Sequence, residues 1–391
     1  MFKLPLFWLQ LIRQRARLMV TLAGIAFIAI LMFVQLGFQK ALYSSATQVH
    51  QNLQGDLFLL STQYKSLTSN QSFPRSRLYQ ALGIRGVAAV KPLYAQFAKL
   101  KNPSTGQKYS IYMMGFDPGK PVFRLDQINQ SVSQIQLPNV VVFDRNARPE
   151  FGDIAQQFQQ GRAQELEVFA YNATQGYRVK VGGLFQLGPS FGVDGNLVGS
   201  SSTFLRIFEK MGRQADMIDI GIILLNSDAH PEQTAAALRQ ILPSDVQVFT
   251  RQEFIAFEKN YWSRRTPIGF TLNLMLAMGF VIGVVIVYQI LYNNVSNHLT
   301  AYATLKAIGY TNSYLVGVVF QQAVLLAVLG YIPGLFISHQ LYDLAREITH
   351  LPILMTLDLK LLILLFMIVI CIVSGLFAVN KLRLADPADV F

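Results

Sequence analysis

The chain holds a single cysteine, Cys371, and it falls inside an apolar run, so no disulfide can form within the 391 residues. Charge is also scarce. Asp, Glu, Lys and Arg make up 14% of the residues, against about 25% in soluble domains. That deficit excludes an ordinary soluble enzyme. Acid is scarcer than base, 22 Asp+Glu against 33 Lys+Arg, for a formal net charge of +11. No GxxxxGK[ST] segment is present, so ATP is not bound here by a P-loop. HExxH and CxxC are missing too, which removes the common zinc and dithiol signatures. The five histidines, His50, His230, His298, His339 and His350, are far apart. His339 and His350 share a stretch with Asp343 and Glu347. A metal site is conceivable there, but solvated polar side chains are the commoner explanation. Gly188-Pro-Ser-Phe-Gly192 matches G-x-S-x-G letter for letter around Ser190. A nucleophile elbow needs a strand-to-helix turn, whereas Pro189 and the following VDGNLVGSS read as loop, so a glycine-rich turn is expected.

Apolar residues are what the chain has in excess, at 52%. They concentrate in four runs, 18–37, 267–292, 314–337 and 359–380, each at or above the roughly 20 residues that cross a bilayer as a helix. The first run is too long for a signal-peptide core and has no clear cleavage site behind it, so it reads as a retained span. Lys3, Arg13, Arg15 and Arg17 precede it with no acid between them, which places the N-terminus in the cytoplasm. Alternation then puts 38–266 outside, 293–313 inside, 338–358 outside and the tail 381–391 inside. Lys306, Lys381 and Arg383 on the inner flanks fit this, as do Asp343, Glu347 and Asp358 on the outer one. The expected setting is a bacterial inner membrane with both termini cytoplasmic. Residues 38–266 carry 24 Lys+Arg and 17 Asp+Glu, spread without runs on the far side of the membrane from any genome, which argues against nucleic acid. No ionisable residue lies well inside a span, which argues against ion-coupled transport and a polar pore.

The fold class expected is a membrane protein of four transmembrane α-helices with a large α+β extracytoplasmic domain of two lobes and a helical stalk. Residues 1–17 read as an interfacial helix or as the frayed start of the first span. A stalk helix should continue through 38–54, with Ala41, Ser45, Val49 and Leu53 on one face. A second, over 251–266, places Phe254, Phe257 and Tyr261 on one face ahead of Pro267. Both are expected to run unbroken into the membrane and to act as levers. Between them, 55–119 and 216–250 show a repeated strand–helix–strand pattern and make one α+β lobe, while 120–215 reads as a β-rich lobe. Gly279 with Gly283, and Gly330 with Gly334, have the G-x-x-x-G spacing of helix-packing faces, and Pro333 is expected to kink its helix.

The loop 293–313 contains a short helix in which Tyr302, Leu305 and Ile308 recur every third residue. Gly309 suits its C-terminal stop, and Thr311 or Asn312 can cap the helix that follows. Such an element, with Lys306 as its one charge, suits docking of another protein. The segment ATLKAIGYT (303–311) resembles the cytoplasmic signature of the MacB/FtsX/LolC-type permeases, the mechanotransmission class of ABC transporters, with the DevC branch the nearest match. LQLIRQRARLMVTLAGI (9–25) and LRLADPADVF (382–391) resemble the family's basic lead into its first helix and its Asp-Pro-Ala tail. The resemblance implies a MacB-like external domain and a homodimer. It implies a separate ABC ATPase, carrying ATP and Mg, docked on Tyr302, Thr304, Leu305, Lys306, Ala307, Ile308, Gly309 and Tyr310. It implies a periplasmic adaptor (membrane-fusion) protein, a TolC-like outer-membrane channel and export of a glycolipid or other amphiphile. The chain itself is then no enzyme and holds no cofactor. An alternative from the same resemblance is an FtsX-like regulator of an envelope hydrolase that moves no cargo. Relatives often carry an acidic residue ahead of the signature, where Ala301 and Tyr302 stand here.

Overall fold

The computed structural model describes residues 15–297, 300, 302, 304, 306 and 308–384. The expected interfacial helix at the N-terminus falls almost wholly outside this range, as do 385–391 of the tail. In chain order the first elements are α1 (Arg15–Ala46), α2 (Gln48–Asn52), β1 (Leu57–Ser61), β2 (Phe73–Pro74), α3 (Arg75–Leu82), β3 (Val87–Lys101) and β4 (Lys108–Phe116). Next come α4 (Asp126–Gln130), α5 (Val132–Ile135), β5 (Val140–Asp144), α6 (Ile154–Gln159), β6 (Glu165–Ala170), β7 (Tyr177–Phe185) and β8 (Asn196–Ser200). These are followed by α7 (Ser201–Phe208), β9 (Met217–Ile218), β10 (Ile220–Leu225), α8 (Pro231–Ile241), β11 (Val246–Thr250) and α9 (Arg251–Asn260). Three long helices close the chain: α10 (Pro267–Asn297), α11 (Asn312–Thr349) and α12 (Leu357–Leu384).

The chain divides into two compact units. One gathers the apolar helices and the other is Leu42–Thr266 with Thr349–Pro352. In the second unit nine strands form one sheet in the order β11-β1-β10-β3-β4-β8-β5-β7-β6. Strand β3 explains how one sheet serves both expected lobes. Its first half, Val87–Leu93, pairs with β10, and its second half pairs with β4 and with β6. Because β6 returns to β3, the strands β3-β4-β8-β5-β7-β6 close into a ring. Strands β11, β1 and β10 make the open end of the sheet, while β3 and β4 enter the ring that the strands of 120–215 complete. The two regions are hydrogen-bonded through β4–β8 and β3–β6, so they form one unit with a continuous sheet.

Strand β1 is buried over its whole length, and its alternation assigns its side chains to two cores. Leu57 and Leu59 enter a core with Leu78 of α3 and Leu238 of α8. Phe58 and Leu60 enter the other core, with Val49 of α2 and Phe254 of α9. A central strand buried on both faces is apolar without interruption, as LFLL is here.

Among the described residues four helices are long and apolar enough to cross a membrane, over Leu18–Ala46, Pro267–Asn297, Ser313–Thr349 and Leu357–Ala378. They pack through the paired glycines. A Cβ on Gly330 would lie 2.5 Å from Ile25 Cγ2 and one on Gly334 would lie 2.7 Å from Ala29 Cβ, so α11 approaches α1 closely. Gly279 faces Gln35, and Gly283 sits between Ile28 of α1 and Ile370 of α12. Lys40 Nζ donates to Asp358 Oδ2 and to Thr356 Oγ1, both at 2.6 Å, fastening α1 to the start of α12. This cross-helix pair was not foreseen.

Three expected boundaries need correction. The stretch 338–358 is not mainly loop, because α11 runs on to Thr349 and holds Pro333 within it. Its continuation carries no Gly or Pro, and Asp343 pairs with Arg346 at 3.2 Å and with His339 at 3.9 Å along the same helix. The stalk helix over 38–54 breaks at Thr47, whose hydroxyl donates to the Tyr43 carbonyl at 2.8 Å. The second stalk helix is broken as well. It leaves the α-helical path at Tyr261, continues as a π turn over Tyr261–Arg265, and becomes extended at Thr266. Pro267 disfavours helical geometry in the residue before it, which accounts for Thr266.

Asp219, between β9 and β10, is 2% exposed. It accepts from the Ala95 backbone N–H at 2.7 Å and from Arg213. Burial pushes its carboxyl up to about 6, against the opposing pull of Arg213 and the Ala95 N–H. A raised carboxyl favours the folded state below its ordinary value of 3.8, and the contribution is lost as pH rises through about 6. Taking the pH from 7 to 4 should therefore stabilise the wild type relative to Asp219→Asn by on the order of 2 kcal/mol. Chemical unfolding of both proteins across that range checks this, and parallel pH profiles would contradict it.

Candidate functional site

Two places in the chain gather the residues that the sequence singled out. The first is the loop between α10 and α11. The Ile308 N–H bonds to the Thr304 carbonyl at 3.0 Å and the Gly309 N–H to the Lys306 carbonyl at 3.1 Å, closing a short helical turn. Gly309 has φ +107, a value a side chain would resist, and so stops the turn. The Thr311 carbonyl and hydroxyl then take the Tyr314 N–H, at 3.0 and 3.4 Å, and begin α11. Ile308 is 71% exposed and Tyr310 44% exposed, and Thr304 faces solvent as well. Lys306 is half-buried.

Tyr302 is not a surface residue. It packs with Val295, Leu315 and Val319 and anchors the loop to both flanking helices. Tyr302 thus points in and Ile308 out. Leu305 and Ala307 lie outside the described residues.

The second place lies in the large unit, where the two stalk segments meet. Val49, Leu53 and Ser45 are buried, as is Ala41, so the expected face of the first segment is covered. Phe254 is fully buried, while Phe257 and Tyr261 are half-buried. The His50 ring of α2 stands edge-on to Phe254 of α9, centroids 4.3 Å apart. One turn further along α9 comes Glu258, a carboxylate on the apolar face and 1% exposed. It receives the Leu67 backbone N–H at 3.0 Å and the Trp262 indole N–H at 2.9 Å. Tyr64 Oη donates to it at 3.4 Å, and His50 Nε2 lies 3.3 Å away. Facing a carboxylate, His50 carries its proton on Nε2.

Four donors from three segments thus converge on one buried carboxylate: α2, the 61–70 loop and the α9–π turn. Burial, then the Glu258 charge, push the Tyr64 phenol up, and burial pushes the Tyr112 phenol up. Both stay protonated donors, Tyr112 to the Leu67 carbonyl at 2.6 Å. The π turn brings the Trp262 indole back onto Glu258, four residues earlier. Such single π turns recur at functional positions.

A fourth segment closes the cluster. The Gln48 amide donates to the Leu187 carbonyl, and a Cβ on Gly192 would lie 3.1 Å from the Trp262 indole. The 187–196 loop is held by Asp144, which accepts from the Leu187 and Gly188 N–H groups and from Asn196, at 3.1, 2.8 and 2.9 Å. Burial raises the Asp144 carboxyl and these bonds pull it back. Ser190 sits in this loop, where its Oγ accepts the Gly192 N–H at 3.2 Å and its own N–H reaches the Val193 carbonyl at 2.7 Å. No histidine or carboxylate is among its hydrogen-bond partners, so GPSFG is a turn that packs on the stalk. No group of three or more metal-ligating side chains is assembled among the described residues.

Sequence reasoning passed over His50, Tyr64, Glu258 and Trp262. The signal was present in EFIAFEKNYW: Phe254, Glu258 and Trp262 are spaced by four, which puts a carboxylate on an apolar stripe.

Residues 273–387 match the family model described as FtsX-like permease C-terminal. Among curated proteins no sequence matches the chain. The periplasmic region of MacB from Actinobacillus actinomycetemcomitans is similar at 14% identity and a TM-score of 0.31, over 50% of this chain and 88% of that one. The extracellular domain of the noncanonic ABC-type transporter YknZ from Gram-positive bacteria is similar at 15% identity and a TM-score of 0.31, over 50% and 99%.

Removing the carboxylate with Glu258→Ala should lower stability by about 3–5 kcal/mol, because its donors lose their shared acceptor. Glu258→Gln should cost about 1–3 kcal/mol, since one amide NH2 must then face N–H donors. Thermal unfolding of the purified full chain reads both. Wild-type stability in Glu258→Ala would show that the cluster holds nothing together.

Proposed function

We propose that the chain is the membrane-spanning permease subunit of an ABC exporter of the DevC kind. It acts as a homodimer in a bacterial inner membrane with both termini in the cytoplasm. A separate ATPase, holding ATP and Mg, docks on the loop between α10 and α11. Its motion passes along the spans into the large external unit. That unit works with a periplasmic adaptor and a TolC-like outer-membrane channel to export a glycolipid or other amphiphile.

The observation that carries this reading is the loop itself. It is closed by Gly309, anchored by Tyr302, and offers Ile308 and Tyr310 to solvent. An apolar residue held out from a rigid turn is suited to contact and has no chemistry to perform. The loop lies inside the segment that matches the FtsX-like permease family, and the sequence has no P-loop of its own. Basic residues on the flanks of the spans support the orientation.

Ile308→Asp combined with Tyr310→Asp should reduce co-purification of the ATPase at least about tenfold while membrane insertion is unchanged. Undiminished co-purification would overturn the docking role. Crosslinking of the wild type in the envelope should bring down an adaptor protein. Recovery of a cell-wall hydrolase in its place would favour the regulatory alternative.

A further inference from the structure

On the outer side of Tyr64, away from the buried cluster, the large unit opens a cleft of about 590 Å³. Its walls come from the 61–71 loop, Gln247 of β11, Phe257 of α9 and Arg265 at the end of the π turn. Two of the lining side chains are cations, Lys65 and Arg265, and both are exposed. Neither has an ion-pair partner among the described residues. None of the residues that line the cleft is an acid. The two nearby carboxylates are both committed elsewhere. Glu258 is turned inward to its four donors, and Asp245, whose carbonyl receives the Thr62 N–H, is paired with Arg77 at 3.0 Å. The rest of the wall is neutral and polar, with Gln63, Ser69 and Gln71 among its residues, while the Thr62 hydroxyl and the Asn70 amide donate to the Asp245 and Ala95 carbonyls. Phe257, its ring 6.1 Å from that of Tyr64, adds an apolar side. This is a site for an anion with hydroxyl or ester oxygens around it.

Chain geometry says where that anion comes from. Arg265 is two residues from Pro267, the first residue of a membrane-length apolar helix. Two residues reach at most about 7 Å. Arg265 is therefore tied to the interfacial layer in which phospholipid phosphates lie. The π turn separates the roles of neighbouring residues. Trp262 turns inward onto Glu258, and Arg265 lines the cleft, while exposed Arg264 does not line it.

We propose that this cleft binds the phosphate-bearing headgroup of an anionic phospholipid from the leaflet at the start of α10. Lys65 and Arg265 take the phosphate, and Gln63 and Ser69 meet the glycerol oxygens. The lipid is a resident of the site, so the assignment does not depend on the export reading. It bears on the stalk because Lys65 and Ser69 belong to the loop whose Leu67 N–H holds Glu258.

The test uses the purified, delipidated full chain in detergent, titrated with phosphatidylglycerol or phosphatidylcholine and read by native mass spectrometry. Lys65→Gln with Arg265→Gln should weaken binding of one phosphatidylglycerol per chain about tenfold or more. Arg264→Gln should leave it unchanged, and phosphatidylcholine should not distinguish the proteins. Circular dichroism of each variant verifies the fold. Equal phosphatidylglycerol binding by wild type and the double variant overturns the site. A matching loss in Arg264→Gln also overturns it, as general surface charge would then suffice. Free sn-glycerol 1-phosphate provides the last arm. If it occupies the cleft as tightly as the lipid, the ligand is a soluble phosphate ester and the lipid assignment fails.

Discussion

A single carboxylate, Glu258, sits where three chain segments have to be held together, and much of the stalk depends on its being satisfied. An ionised group in that position costs several kcal/mol in desolvation unless donors surround it. Here the donors are a backbone N–H, an indole, a phenol and an imidazole, and no two come from the same turn of helix. The need to satisfy the charge fixes the distances between α2, the 61–70 loop and the α9–π turn. An apolar residue at 258 would tolerate sliding between these segments. A hydrogen-bonded carboxylate resists it, because each donor would lose its acceptor.

The sheet gives that cluster a base. Phe58 and Leu60 of β1 pack into the same core as Val49 and Phe254, so the first strand supports both stalk segments at once. Its other face is filled by α3 and α8, which leaves β1 no room to shift. The chain passes from the apolar helices to this unit differently on each side. On one side α1 continues as helix to Ala46, with a break only at Thr47. On the other, the path runs through a π turn and an extended Thr266. The two crossings therefore differ in backbone geometry.

Much of the architecture was legible because it rests on periodicity and length. Apolar runs of 20 residues or more mark spans, and LFLL and VVVF mark buried strands. The stop at Gly309 was legible from glycine chemistry alone. The ring closed by β6 on β3 was not, since it depends on one long strand changing partners halfway along, which no local pattern records. The breaks at Thr47 and Thr266 were missed for opposite reasons. Thr47 only interrupts the helix, its hydroxyl sharing the Tyr43 carbonyl with its own N–H, while Pro267 did announce Thr266 and was read only as a boundary. The buried cluster was obscured because His50, Tyr64 and Glu258 are separated by up to 208 residues in sequence and only the fold brings them together.

The central claim is that α2, the α9–π turn and the 187–196 loop form one cooperative element through Glu258 and Trp262. Hydrogen–deuterium exchange of the full chain, wild type against Glu258→Gln, tests this most directly. The account predicts that amides of 48–52, 251–262 and 187–196 gain exchange together and by similar factors in the variant. A gain confined to α9, with the other two segments exchanging as in the wild type, would contradict it.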